Sequence, residues 1–203
     1  AVVGDVDAKK TVEMLEKLFA DWKKGKVPEI NIPKPEPMPL GVYFVHRPAS
    51  EQTTVNVTNI GIPLNHLEYD YLKLAANVIG SGFSGRLFRT LREQYSYTYS
   101  PWGYLTSTKF ITRFVCGADV KQDKTDSSIA VILEQIKLLG TEGPTNDELN
   151  RLKRYLIGQY NMSLEKPSSV ASIVQTADFI GKPMEIVKDY PNRLNAISND
   201  IVE

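Results

Sequence analysis

Apolar positions recur at helical spacing at Val12, Leu15, Leu18 and Phe19, and Asp7 stands where a side chain would cap that helix. A helix is predicted from there to about Trp22, closed by Gly25. Residues 28–39 then hold five prolines in twelve positions, a stiff, extended connector. Val42-Tyr43-Phe44-Val45-His46 reads as a strand stopped by Arg47-Pro48. A second strand is predicted over 53–60, with Val55 and Val57 facing one way and Asn56 and Thr58 the other. The short link between the two predicts an antiparallel pair. A helix over 67–79 carries Leu67, Tyr71, Leu74, Ala75 and Val78 on one stripe and stops at Gly80. Strands over 97–105 and 110–116, divided by a polar turn at 106–108, read as a hairpin. In the second of them Phe110, Thr112, Phe114 and Cys116 alternate with Ile111, Arg113 and Val115.

The remainder is helical in pattern. Residues 124–139 place Ile129, Ile132, Leu133 and Ile136 at core spacing. Thr145-Asn146-Asp147-Glu148, just after Gly143-Pro144, is a capping box that opens a helix to about Leu164. Pro167 breaks that helix, Ser168 or Ser169 starts the next, and Gly181 ends it. A further segment spans 184–196, and 199–203 reads as the start of one more helix. Four strands in two hairpin-like pairs, with helices for one face, give an α+β class: an antiparallel sheet with helices packed on one face.

Composition narrows the function. Lys+Arg 24 balances Asp+Glu 24 over 203 residues, which argues against nucleic acid or an anionic membrane as the main partner. No apolar run reaches the length of a membrane span. The opening Ala1-Val2-Val3-Gly4 reads like the end of a strand, so the chain is expected to begin inside a larger protein, and bacterial periplasm and cytoplasm both stay open as compartments. Cys116 is the single cysteine, read as a small buried residue. The two histidines, His46 and His66, lie twenty positions apart, and His66-Leu67-Glu68-Tyr69-Asp70 offers no second imidazole. No metal site and no nucleophile elbow are expected in this stretch, and alone it should cleave nothing.

The chain's organising stretch is 80–101, GSGFSGRLFRTLREQYSYTYSP. Glycines at 80, 82 and 85 permit a sharp turn, and Ser84 is placed to cap the helix that follows. Leu87, Phe88 and Leu91 form an apolar face, Arg86 and Arg89 another, and Tyr95, Tyr97 and Tyr99 share one side of a predicted strand. On residue types alone this suits a solvated helix–strand corner or, less well, an anion cradle without a Walker lysine.

The run Gly82-Phe83-Ser84-Gly85-Arg86-Leu87-Phe88, with Leu91-Arg92-Glu93 and Tyr97-Thr98-Tyr99, resembles the signature of the C-terminal domain of the insulinase-like (M16) zinc peptidases. That family includes the mitochondrial processing peptidases and pitrilysin, and its usual form is close to G-F-S-S-R-L-F-x-x-L-R-E-K-x-G-Y-T-Y-G. Gly85, Ser96 and Ser100 depart from it. The resemblance implies a tail of a preceding domain at 1–24, a linker at 25–40, and an inactive peptidase-type domain at 41–203. It implies that Arg92 and Tyr99 reach a peptide substrate across a closed chamber; Tyr97, on the same face of the predicted strand as Tyr99, is expected to line the same wall. It also implies zinc and the H-x-x-E-H motif in a complementary domain or subunit, an unfolded peptide as substrate, and leaves a homodimer open. Arg86 and Arg89 are the weaker candidates, expected to be structural or solvated. The alternative is a non-catalytic scaffolding or binding subunit of a larger complex, and a third is an anion-binding domain using the glycine loop.

Overall fold

The computed structural model describes residues 1–199 apart from 30, 34, 35, 37 and 38. Three antiparallel strands, β1 (Gln52–Gly61), β2 (Trp102–Ser107) and β3 (Thr112–Lys121), form a sheet in the order β1-β3-β2. β3 is central, in register with β1 from Gln52↔Lys121 to Gly61↔Thr112 and with β2 from Trp102↔Gly117 to Ser107↔Thr112. The expected hairpin is therefore present, with its strands later in the chain than the pattern placed them. Thr108 closes its turn by donating from both N–H and Oγ1 to the Ile111 carbonyl, at 2.9 and 2.8 Å. Alternation along β3 buries Thr112, Cys116, Ala118 and Val120 and leaves Arg113, Asp119 and Lys121 exposed.

Two expectations fail here. Residues 42–46 form no strand: Val42, Tyr43, Phe44 and Val45 are exposed, and β1 takes β3 as its partner instead. A strand-like pattern is stable only beside an edge that receives its hydrogen bonds. Residues 97–101 also lie outside the ladder, which begins at Trp102.

Seven α-helices accompany the sheet among the described residues. Asp7 caps α1 (Ala8–Leu18), accepting from the Lys10 N–H at 3.0 Å; the helix stops short of Trp22, and Val12, Leu18 and Phe19 stay exposed. In α2 (Tyr69–Gly80) Leu74 and Val78 are buried, while Leu67 lies ahead of the helix in solvent. α3 (Thr125–Glu142) buries Ile132 but leaves Leu133 half exposed. α4 (Asn146–Leu164) begins at the reciprocal Thr145–Glu148 capping box. Pro167 itself is the first residue of α5 (Pro167–Phe179), where its fixed φ and missing N–H cost nothing. Gly181 follows at φ +72°, as a helix-ending residue. The predicted segment 184–196 is two short helices, α6 (Glu185–Lys188) and α7 (Tyr190–Ala196). Residues 200–203 of the final predicted helix fall outside those described.

α2 and α3 lie on the sheet, α4 packs on α2, and α5 and α7 pack on α4. The core joins Leu74 and Ile79 of α2, Cys116 and Val120 of β3, and Ile132 of α3. Each such Leu or Ile contributes about 1.5–3 kcal/mol through burial. α2 meets β2 through two glycines: a Cβ on Gly80 would stand 2.0 Å from the Gly103 nitrogen. That close approach fixes where the chain leaves α2, and so where the signature begins.

Candidate functional site

After Gly80 the chain makes a short 3-10 turn (Gly82–Ser84) and enters a helix whose last part, Phe88–Gln94, is a π-helix. Its wider winding is visible in the Tyr95 N–H bonding to Thr90 O at 3.0 Å, five residues back. The Tyr97 N–H then bonds to Leu91 O at 2.8 Å. Leu87 and Leu91 anchor this helix, both fully buried in the core. Ser84 does not cap it; the Arg89 N–H bonds to Gly85 O instead, at 3.2 Å. Ser96, at the helix exit, sits at φ +56° in the left-handed region that glycine occupies without penalty.

The three arginines have separate fates. Arg86 binds Glu148 in a fork, Nε to Oε1 at 3.1 Å and Nη2 to Oε2 at 2.9 Å, and also donates to the Gly143 carbonyl at 2.9 Å. Arg89 donates to Glu148 Oε1 at 2.5 Å. Burial pushes the Glu148 carboxyl up, but the hydrogen bonds from Arg86 and the Thr145 N–H, with the charges of Arg86 and Arg89, outweigh it and hold it at about 2. The anion facing these two arginines is thus the protein's own, and the pair locks the signature helix to the start of α4. This meets the expectation of a structural role and leaves the anion-cradle alternative without its cations.

Arg92 is different. Its guanidinium lies between two rings, 4.6 Å from the centroid of Phe88 and 4.2 Å from that of Tyr99. Among the described residues it makes no ion pair, and the Tyr99 hydroxyl makes no hydrogen bond. Tyr99 is 76% exposed. The side of Phe88 is met edge-on by the exposed Phe83, centroids 5.0 Å apart. Stacking therefore holds a planar set of donors and a phenol together at the surface, with their hydrogen bonds to spare. Tyr97 is half-buried against the core and stacked on Tyr95 at 5.2 Å. Phe88, assigned by pattern to the apolar face, supports the guanidinium; its spacing of four from Arg92 carried that signal.

The two histidines have local neighbours. His66 Nδ1 accepts from the Glu68 N–H at 3.2 Å, and the His46 ring lies tilted beside Phe44, centroids 6.1 Å apart. Among the described residues no three of His, Cys, Asp and Glu converge. Cys116 is fully buried, and burial raises its thiol to about 12. Among the described residues no helix is long and apolar enough to cross a membrane.

The architecture, helices on an antiparallel sheet, is shared with solved M16 inactive domains. One from Pseudomonas fluorescens superposes with a TM-score of 0.82 at 19% identity, over 98% of this chain and 47% of that one. The family model described as the peptidase M16 inactive domain matches residues 1–156, and the chain belongs to that family. A Rickettsia felis protein described as an uncharacterized zinc protease is 29% identical over 167 residues, 82% of this chain and 39% of its own length. A Helicobacter pylori relative, described as a non-peptidase homolog, is 25% identical over 136 residues, covering 64% of this chain and 31% of that protein. The chain thus spans less than half the length of the curated relatives it matches.

Proposed function

We propose that this chain is the non-catalytic, substrate-facing part of a zinc metalloendopeptidase, in which Arg92 and Tyr99 donate hydrogen bonds to a bound peptide. The observation that carries this reading is the Arg92 guanidinium, held between Phe88 and Tyr99 with no carboxylate upon it among the described residues. Arg86, Arg89 and Arg193 each have such a partner. A pre-stacked Arg fork suits a peptide carbonyl or carboxylate, and a phenol beside it suits the oxyanion that forms during amide hydrolysis. Tyr97, half-buried against the core and stacked on Tyr95, is assigned a supporting place behind this pair. Zinc and its H-x-x-E-H helix belong to a complementary domain, upstream or on a partner subunit. In this reading 1–24 is the tail of that preceding domain, 25–40 the connector and 41–203 the inactive domain; the exposed apolar stripe of α1 fits a neighbour supplied from outside this stretch.

The test uses the native assembly captured through this chain, with a quenched unstructured peptide, with and without a zinc chelator. Chelator-sensitive cleavage is expected. Arg92→Ala and Tyr99→Phe are then each expected to lower kcat by about 10²-fold, the effect of losing a transition-state donor, with unchanged thermal midpoints. Full turnover in both variants would refute the site. The second reading, a scaffolding subunit, is favoured by the Helicobacter pylori relative described as a non-peptidase homolog. An intact assembly that cleaves nothing would decide for it.

A further inference from the structure

Away from the signature, α2, α4, α5, α6 and α7 enclose a cleft of about 460 Å³, within the ~300–1,000 Å³ range of small-molecule sites. Its walls are largely apolar, with Leu156, Ile173, Ala177, Ile180, Ile186 and Val187. Its charged groups do not balance. Lys73, Lys182 and Arg193 line it against a single carboxylate, Asp70. Arg193 takes that carboxylate, Nε to Oδ2 at 3.1 Å, and donates through Nη1 to the Ile186 carbonyl at 2.6 Å. Tyr160 donates its hydroxyl to Val187 O. Among the described residues the Lys73 ammonium meets only Tyr190, donating to its hydroxyl at 3.5 Å and lying 5.5 Å from its ring centroid, and the half-buried Lys182 has no ion pair or hydrogen bond at its ammonium. Burial accordingly holds the Lys182 ammonium below the usual lysine range, against the pull of Asp70 and with the push of Arg193.

We infer that this cleft binds a carboxylate at the end of an apolar body, the carboxylate meeting Lys73 and Lys182 and the body lying along α5 and α6. Two ammonium groups beside an apolar wall are costly until an anion joins them, and a neutral or cationic ligand leaves that cost in place. The same chemistry is presented by a free aliphatic acid and by the C-terminus of a peptide ending in an apolar residue. The inference does not rest on the proposed peptidase role.

Calorimetric titration of the 203-residue chain tests it. Octanoate is expected to bind, and in the series from hexanoate to decanoate each added methylene should tighten binding about fourfold while the cleft still has room. Octanol and octylamine should bind at least tenfold more weakly. Lys182→Gln and Lys73→Gln should each weaken octanoate tenfold or more with the unfolding midpoint kept; should one variant misfold, the other decides. An acetylated tripeptide ending in Leu, compared with its amide, separates the sources: tighter binding of the peptide acid than of octanoate assigns a peptide C-terminus, and the reverse assigns a free acid. Octanol binding as well as octanoate, octanoate binding unmoved by both lysine variants, or no binding by either acid would overturn the inference.

Discussion

Glutamine at position 148 keeps the shape of the side chain and removes its charge. In the native protein the Glu148 carboxylate receives Arg86 through two bonds, Arg89 through one, and the Thr145 N–H at 2.9 Å. An amide keeps one acceptor oxygen and turns an NH₂ group toward an arginine. Arg86, only 11% exposed, would lose its two-oxygen fork and its counter-charge, keeping the Gly143 carbonyl and at most the one amide oxygen. The carboxyl titrates at about 2 in the fold against an ordinary 4.5, a difference equivalent to ~3 kcal/mol. That figure agrees with the cost of breaking a buried ion pair by removing one member. Arg89 is 45% exposed, so its share is screened and most of the effect belongs to Arg86. Glu148→Gln is thus expected to lose ~3 kcal/mol of unfolding free energy at neutral pH, read by urea denaturation followed by far-UV circular dichroism. The folded value lies below the unfolded one, so this stability is present above pH 4.5 and disappears as pH falls through about 2. The gap between wild type and variant should be roughly halved near pH ~3. A variant within about 0.5 kcal/mol of wild type at neutral pH, or a gap that ignores pH, would refute the reasoning.

Ser96→Gly is expected to stabilise the fold by about 0.5–1 kcal/mol, since relief of the left-handed strain exceeds the added freedom of the unfolded chain; a lowered urea midpoint contradicts it. Gly80→Ala drives a methyl onto the backbone of Gly103, which cannot swing aside, and should cost at least ~2 kcal/mol and several degrees of Tm. Cys116 should resist iodoacetamide in the folded chain and react at the rate of global unfolding; labelling as fast as a free thiol would deny its burial. Because its folded value, about 12, exceeds the ordinary 9.0, the unfolded chain ionises first and stability should fall as pH rises across that interval.

Local chemistry was legible in the sequence where it was self-contained. The Asp7 cap, the Thr145–Glu148 box and the β2–β3 hairpin each depend on residues within a few positions of one another. What depends on a distant partner was not. Val42–Val45 read like a strand as an apolar, β-branched and aromatic run, but the pattern does not say which edge receives them, and β1 is matched to β3, some sixty residues on. Tyr95, Tyr97 and Tyr99 look like one face of a strand. The π-helix that ends among them and the positive φ of Ser96 break that period, stacking Tyr97 on Tyr95 and leaving Tyr99 to Arg92. The charged cleft combines five helices and has no local signature at all.

The Arg86–Glu148 clamp spans 62 positions, and that distance orders events during synthesis. The signature leaves the ribosome well before the carboxylate that fastens it, and at typical translation rates of ~5–20 residues per second it waits several seconds with both arginines in water. Closing so long a loop is slow compared with forming a helix turn. The clamp beside the π-helix bearing Arg92 therefore closes late, when α4 docks, and a nascent chain stalled before Thr145 would hold every residue of the signature without that fastening.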